Sequence, residues 1–252
     1  SDSYDRVSLN ANNNFSLVQD RLLVKVDLGY SSSNNDFNSS DYRPLSPYDR
    51  ISDENGNSLP VVIRNGLRMS YLDTAGNGRM LDWKYRPKDE LSPTTRTHIV
   101  QYRINSGIDY RIAKGLGASV NYQFLRESSS RPTTNDVNSY FTRNLINQFS
   151  SIKNNLVTRV IPVGSIVSNS DNLINSKILR TQLSYNRVLS VEHDINAIIG
   201  YEGSDSRTTN VDQTLYGYNP NNLTNANGTI NPLNNYPFYY GGLTGLINTA
   251  PK

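Results

Sequence analysis

The chain has 252 residues, 25 basic and 22 acidic side chains, a formal net charge of +3 and no cysteine. It contains 34 Asn, 30 Ser and 17 Tyr, a mixture that favours strands and turns, because Asn and Ser compete with helices for backbone hydrogen bonds. This composition argues against a helical bundle or a doubly wound α/β fold, and it excludes disulfides and thiolate chemistry. No block of like charge indicates a nucleic-acid partner.

Two segments near the start of the chain alternate apolar and polar residues with a period of two, as strands with one apolar and one polar face do. The apolar positions are Val7, Leu9, Ala11, Phe15 and Leu17 in the first, and Leu22, Val24, Val26, Leu28 and Tyr30 in the second. Only Val18-Gln19-Asp20 separates the two segments, so the pattern predicts a hairpin with a tight turn.

Two further hairpins follow the same design. The second places Val100, Tyr102, Ile104, Ile108, Tyr110 and Ile112 opposite Leu116, Ala118, Val120, Tyr122 and Phe124, with a turn at Ala113-Lys114-Gly115. The third, with a weaker pattern, places Leu179, Thr181, Leu183 and Tyr185 opposite Ile195, Ala197, Ile199 and Tyr201, with a turn at Val191-Glu192-His193. The fold class predicted is all-β, with about six strands of roughly 11–14 residues in three antiparallel hairpins.

Long polar stretches separate the hairpins, at residues 33–98, 128–177 and 208–252. Tight turns on one side and very long loops on the other are typical of outer-membrane barrels, which have short periplasmic turns and long extracellular loops. The chain has no run of 18 apolar residues, but a membrane strand needs only about 9–11 residues. The sequence thus predicts a transmembrane antiparallel β-barrel segment, with a short helix at Tyr140 to Phe149 in the second loop.

Aromatic residues and charges support this prediction. The aromatic residues Tyr30, Tyr122, Phe124, Tyr185 and Tyr201 are expected to form a girdle at the outer side of the membrane. The polar face carries Arg103, Asp109 and Arg111, which we expect to pair with neighbours or with a plug. Six strands cannot close a barrel, and the alternation begins almost at Ser1, so we expect a segment of a longer polypeptide.

Several stretches resemble the SusC/RagA family of TonB-dependent outer-membrane transporters. They are residues 81–91 (LDWKYRPKDEL) with 102–105 (YRIN), 115–116 with 120–123 (VNYQ), 140–147 (YFTRNLIN), 159–164 (RVIPVG), 183–186 (LSYN) and 197–202 (AIIGYE). Each match is weak alone, but together they occur in the family's order over roughly residues 4–207.

The resemblance implies that residues 1–252 form part of a 22-stranded barrel domain. It also implies TonB-energised import of large nutrients, namely oligosaccharides or peptides, across the outer membrane of a Gram-negative bacterium. The implied partners are a SusD-like surface lipoprotein, outer-membrane lipids and the TonB complex, the last through parts outside this sequence. No plug or TonB-contacting segment is recognisable in the 252 residues.

Catalytic chemistry finds little support in the sequence, and we predict neither an enzyme nor a cofactor or metal site. His98 and His193 would lie at opposite ends of the sheet, so they could not share a proton relay. There is no Gly-x-Ser-x-Gly motif. Residues 53–57 (DENGN) and 73–78 (DTAGNG) resemble calcium loops, but both lack the bidentate Glu and are interpreted first as turns.

Loop aromatics are the better candidates for substrate or lid contacts, since aromatic rings stack on sugars while Asn and Asp bind hydroxyls. Their alternative role is packing of the loops against one another. The candidates are Tyr42, Tyr48, Tyr71, Trp83 and Tyr85 in the first loop, and Tyr216, Tyr218, Tyr236, Phe238, Tyr239 and Tyr240 in the last. The competing functional hypotheses are a secreted soluble glycan-binding or adhesin module and, with less support, a polysaccharide-degrading enzyme.

Overall fold

The computed structural model describes residues 3–19, 21–38, 42, 44–90, 93–190 and 193–249. Most of this part is strand, as the composition predicts. The long strands are β1 (Ser3–Leu17), β2 (Leu22–Asn38), β3 (Thr94–Ala113), β4 (Leu116–Asn135), β7 (Ser165–Ser190) and β8 (His193–Tyr218). Two short hairpins, β5 (Ser150–Lys153) with β6 (Leu156–Arg159) and β9 (Asn235–Pro237) with β10 (Thr244–Leu246), lie in the loops.

The six long strands form one antiparallel sheet in the order β1-β2-β3-β4-β7-β8. The three predicted hairpins β1–β2, β3–β4 and β7–β8 are confirmed. In the described part of the chain no ladder joins β1 to β8, so these two strands are the edges of an open sheet. The antiparallel hairpin architecture is therefore observed, and barrel closure is not.

The predicted strand lengths of 11–14 residues and the predicted loop bounds are wrong. The strands have 15 to 26 residues, and they extend deep into the polar stretches on the loop side. The connections are accordingly shorter, at residues 39–93, 136–164 and 219 onward. Both faces of the sheet are mostly polar in these extensions. The sequence therefore shows no alternation of apolar and polar residues there, and the extensions were not predicted.

Three of the predicted turn residues lie outside the described residues, namely Asp20, Val191 and Glu192. The turns lie where they were predicted, except that Ala113 and His193 belong to β3 and β8 and not to the turns. Val18 and Gln19 both have positive φ, and Gly115 has φ +82° between β3 and β4. A Cβ at Gly115 would lie 2.4 Å from the carbonyl oxygen of Asn186, so glycine is required there for both conformation and space.

The second loop contains the predicted short helix, now α2 (Tyr140–Gln148), and the first loop contains α1 (Met69–Thr74). Ser139 begins α2 as a helix cap, because its hydroxyl accepts a hydrogen bond from the Thr142 N–H at 3.3 Å. In the described ranges no helix is both long and apolar enough to cross a membrane.

The register assigns the strand residues to two distinct faces. On one face Asn105 lies between Asp27 and Gln123, and Asp109 forms an ion pair with Lys25 at 2.9 Å, as predicted for that acid. We call this the polar face. The opposite, apolar face leaves large hydrophobic side chains exposed without a covering layer, among them Leu9 (64%), Ile199 (72%) and Tyr201 (68%).

Candidate functional site

The three loops pack together into a single layer at the end of the sheet distant from the tight turns. We call it the loop layer; its described parts are residues 44–90, 136–164 and 219–249. Its core consists of Ile146, Phe149, Ile161, Ile166, Tyr216, Ile230 and Ile247. Ile166 lies in β7 on the same face as Ser168, so the layer covers the polar face of the sheet.

Two asparagines of α2 hold the first loop through its backbone and its one tryptophan. The fully buried Asn147 accepts a hydrogen bond from the Leu81 N–H at 3.0 Å and donates one to the Leu81 carbonyl at 2.9 Å. The Trp83 indole N–H donates to Asn144 Oδ1 at 2.8 Å. These amide contacts fix the first loop against the second and position the aromatic side chains between them.

Most of the predicted loop aromatics lie in two groups. Trp83 is only 3% exposed, and its ring centroid lies 6.0 Å from those of Tyr239 and Tyr240. Phe238 packs at 5.2 Å against Phe149 and at 6.0 Å against Tyr240. Packing between the loops is therefore the observed role of this first group.

The second group borders a groove. Tyr85 lies between Tyr42 and Tyr140, with ring centroids 6.1 and 5.2 Å away. Tyr42 and Tyr85 line a groove of about 440 Å³. The other lining residues are Pro44, Leu45, Val62, Ile63 and Arg64. Its tyrosine rings beside an arginine suit stacking on a sugar or an aromatic side chain.

The remaining candidates are dispersed. Tyr48 is 89% exposed, and the Tyr236 hydroxyl bonds the backbone of Asn231 within its own loop. Tyr71 is 36% exposed. The prediction that Tyr216 and Tyr218 belong to the last loop is wrong, because both lie in β8 and Tyr216 is part of the buried core.

The aromatic residues predicted to form a girdle do not all lie on the loop side of the sheet. Tyr30 and Tyr102 are paired across β2 and β3, with ring centroids 5.3 Å apart on the apolar face. Tyr185, however, pairs with Leu116 beside the tight turn, at the other end of the sheet. It therefore cannot belong to a girdle on the loop side.

A second groove, of about 470 Å³, lies on the polar face beneath the loop layer. Side chains facing it include Arg131, Thr133, Ser168, Ser170, Asp212 and Thr214, with Asn248 from the last loop. On the next row toward the tight turns, the Asn172 amide oxygen is buried without a hydrogen-bond partner. The groove thus offers a cation, a carboxylate and hydroxyls to a polar ligand. Serine alternation at residues 168 and 170 was the only signal for it in the sequence.

Two carboxyl groups illustrate the electrostatics of the loop layer. Burial raises the pKa of Glu90, although its carboxylate accepts a hydrogen bond from the Tyr140 N–H at 2.7 Å at the start of α2. Burial also opposes ionisation of Asp82, but hydrogen bonds from Arg86 and the Lys84 N–H outweigh it and hold the pKa of Asp82 below its usual value. The Glu90 carboxylate connects the first loop to α2, whereas the hydrogen bonds of Asp82 lie within the first loop.

The histidines and the calcium-like sequences do not build a reactive centre. His98 bonds Asn34 on the loop side of the sheet at 2.6 Å, whereas His193 begins β8 at the turn side. The Asp53 carboxylate accepts the N–H groups of Asn55 and Asn57, which confirms the turn interpretation of residues 53–57. In the ranges that the structure describes, no three His, Cys, Asp or Glu side chains converge on a possible metal position.

Removal of the Asn147 side chain tests the cohesion of the loop layer. In Asn147→Ala, the N–H and carbonyl of Leu81 lose their partners, which is expected to destabilise the layer by about 1–3 kcal/mol. Trp83 is the only tryptophan, so its fluorescence on denaturant titration reports the opening of the layer. The exposed Asn138→Ala is the matched control and should change stability by less than about 0.5 kcal/mol. Equal midpoints for the two variants would contradict this role of Asn147.

No protein-family model and no curated protein matches the chain.

Proposed function

We propose that this chain is part of an outer-membrane β-barrel that imports large nutrients, of the SusC/RagA type that its sequence resembles. The observation that carries the proposal is the shape of the apolar face. The apolar residues do not follow the register of the sheet, but form a band that crosses the strands obliquely. A bilayer would meet tilted strands along such a band.

The loop-side limit of the band moves toward the tight turns across the sheet, although on β3 it reaches Val100, one position on that face beyond the row of Tyr30. On β2 the last apolar residue of that face is Tyr30, and on β8 the continuous run of apolar residues ends at Tyr201, with Val211 as the next apolar residue of that face. Tyr201 is paired through Thr181, Val120 and Ile108 with Val24, which precedes Tyr30 by six residues. The turn-side limit moves in the same direction. On β2 the band begins at Leu22, which is aligned through the neighbouring strands with Ile199 on β8. On β8 the apolar residues extend past that row toward the tight turn, as far as Ile195.

These offsets give the angle of the band. Six residues along a strand span about 20 Å, and the four intervals between β2 and β8 span about 19 Å, so the band lies about 45° from the perpendicular to the strands. Strands of membrane barrels are tilted by about 35–45°. On β2 the band runs from Leu22 to Tyr30, nine residues, which fits a span of about 9–11 residues.

The other face supports transport as the role of the barrel. Its ion pair Lys25–Asp109 and its asparagines suit a water-filled lumen, and the groove beneath the loop layer opens on that face. Arg131 and Asp212 would meet hydroxyl, ammonium or carboxylate groups of an oligosaccharide or a peptide. In this proposal a SusD-like lipoprotein covers the loop layer, and the TonB complex supplies energy.

A secreted soluble glycan-binding module is the second candidate. It is favoured by the location of the buried apolar core, which in the described residues lies in and beneath the loop layer, next to the aromatic groove of Tyr42 and Tyr85. It leaves the exposed apolar band without an explanation. A polysaccharide-degrading enzyme has no comparable supporting observation.

Membrane fractionation followed by trypsin on intact cells tests the proposal. The protein should require detergent for extraction from outer membranes, because the exposed band otherwise faces water. In intact cells, trypsin should cleave after the exposed Lys153 at the tip of the β5–β6 hairpin and spare Lys114 at the opposite end of the sheet. Permeabilised cells serve as the control for accessibility of Lys114. Recovery in the soluble secreted fraction would favour the glycan-binding module, and cleavage at Lys114 in intact cells would reverse the topology.

A further inference from the structure

Three exposed cations lie on the apolar face, beyond the loop-side limit of the band. Arg126 follows Phe124 by two residues on β4, and Lys177 lies two residues beyond Leu179 on β7. Arg207 lies six residues beyond Tyr201 on β8. All three side chains point away from the polar face and its grooves.

The register brings these cations together around one residue. Arg126 is paired with Asn175, and Asn175 is paired with Arg207, so the two arginines lie on either side of it in one row. Lys177 is the next residue on the same face of β7. Directly paired positions are about 5 Å apart and diagonal ones about 7–8 Å, within reach of long side chains. We call Arg126, Asn175, Lys177 and Arg207 the basic patch.

The charge of the basic patch is not neutralised by the protein. Within the described ranges, none of its three cations takes part in an ion pair or a side-chain hydrogen bond. Two carboxylates face the same side. Asp205 lies opposite Lys177 without forming an ion pair, and Asp171 accepts a hydrogen bond from Asn169 at 2.7 Å. The immediate surroundings of Asn175 therefore carry an excess of positive charge.

We propose that the basic patch binds the phosphate groups of a glycolipid in the outer leaflet, an inference that rests on the proposed membrane location. Arginine binds phosphate through paired N–H donors, and Asn175 adds a further donor between the two guanidinium groups. Cations beside a membrane surface attract anionic headgroups. Phe124 pairs with Lys177, and Leu179 and, beyond Asp205 and Gly203, Tyr201 lie on the turn side of the basic patch, where they form an apolar surface for the acyl chains.

The continuity of charged and apolar surface selects a lipid over a free anion. A soluble phosphate would use the cations and gain nothing from the apolar band below them. A phosphorylated lipid satisfies both parts at once, with its headgroup at the basic patch and its chains on the band. The binding would anchor the β4–β7–β8 side of the sheet at a defined depth in the leaflet.

Lipid binding to the full-length protein purified in detergent tests the inference. We would measure the thermal shift and the native mass spectrum with bisphosphorylated lipid A, with the same lipid after dephosphorylation, and with inorganic phosphate. Bisphosphorylated lipid A is expected to stabilise the protein and remain bound, whereas the other two are expected to do neither. Triple substitution Arg126→Gln, Lys177→Gln and Arg207→Gln should weaken binding by about tenfold or more.

The matched control changes the same number of charges on the opposite face, as Arg103→Gln, Arg111→Gln and Arg131→Gln. It should bind lipid A as the parent protein does. Equal losses in both triple variants would overturn the inference, because the effect would then reflect net charge alone. Equal stabilisation by inorganic phosphate would also overturn it in favour of a free anion site. Failure of this inference can be distinguished from failure of the proposed function. A basic-patch variant that still partitions into outer membranes and binds lipid A normally would refute only the lipid site.

Discussion

Lysine at Ile104 is expected to impair membrane assembly strongly, whereas lysine at Asn121 is expected to be tolerated. Ile104 lies on the exposed apolar face of β3, between the row of Tyr102 and that of Ile108. A lysine near the bilayer midplane on a lipid-facing position costs about 2–4 kcal/mol. Val24→Lys should behave in the same way, because Val24 lies within the nine-residue band on β2.

Asn121 provides the control from the same region of the sheet. Its side chain faces the polar face beside Lys25, Arg180 and Glu202, where water and a carboxylate can stabilise an added cation. Assembly of each variant can be measured as the fraction that migrates as folded protein without heating and resists protease in outer membranes. Similar losses for Ile104→Lys and Asn121→Lys would contradict the membrane assignment and indicate a protein core on both faces.

The hairpins could be predicted from the sequence because their two faces differ in polarity. Leu28 and Ile104, for example, are distant along the chain, but each belongs to a segment of apolar alternation, and the register places them side by side. The strand extensions could not be predicted in this way. Around Ser129 and Asn172, which are paired in the structure, both faces are mostly polar and the few apolar residues, such as Leu173, do not alternate, so the periodic signal is weak.

The loop layer was predictable only in its parts. The helix α2 follows a capping serine, and the aromatic residues were identified as a set, but the contacts that join them are distant in sequence. Asn147 meets Leu81 across 66 residues, and the Gly76 N–H donates to the Tyr239 hydroxyl across 163. Nothing in local composition distinguishes Asn147 from the other 33 asparagines. Whether a loop aromatic binds a ligand or packs against other loops therefore depends on tertiary contacts. These contacts assign Trp83 to packing and place Tyr42 and Tyr85 beside a groove.

The largest effect that we expect concerns the two edges of the sheet. Residues 1–252 alone should fail to insert stably into a bilayer, because β1 and β8 each present a row of unpaired backbone N–H and C=O groups. In hydrocarbon each unsatisfied group costs several kcal/mol. A membrane-spanning edge of about ten residues would then cost tens of kcal/mol, well above the whole stability of a typical domain, about 5–15 kcal/mol.

Further strands must therefore pair with both edges if the sheet lies in a membrane. Intact mass of the protein extracted from outer membranes is the first measurement, and we expect a polypeptide several times heavier than 28.3 kDa. The second is reconstitution of residues 1–252 in lipid vesicles, where we expect aggregation or adsorption without protease protection. A folded, protease-resistant monomer of 28.3 kDa in vesicles would contradict the barrel proposal. The backbone groups at the two edges of the sheet would then be hydrogen-bonded in some other way, and the proposed import function would lose its basis.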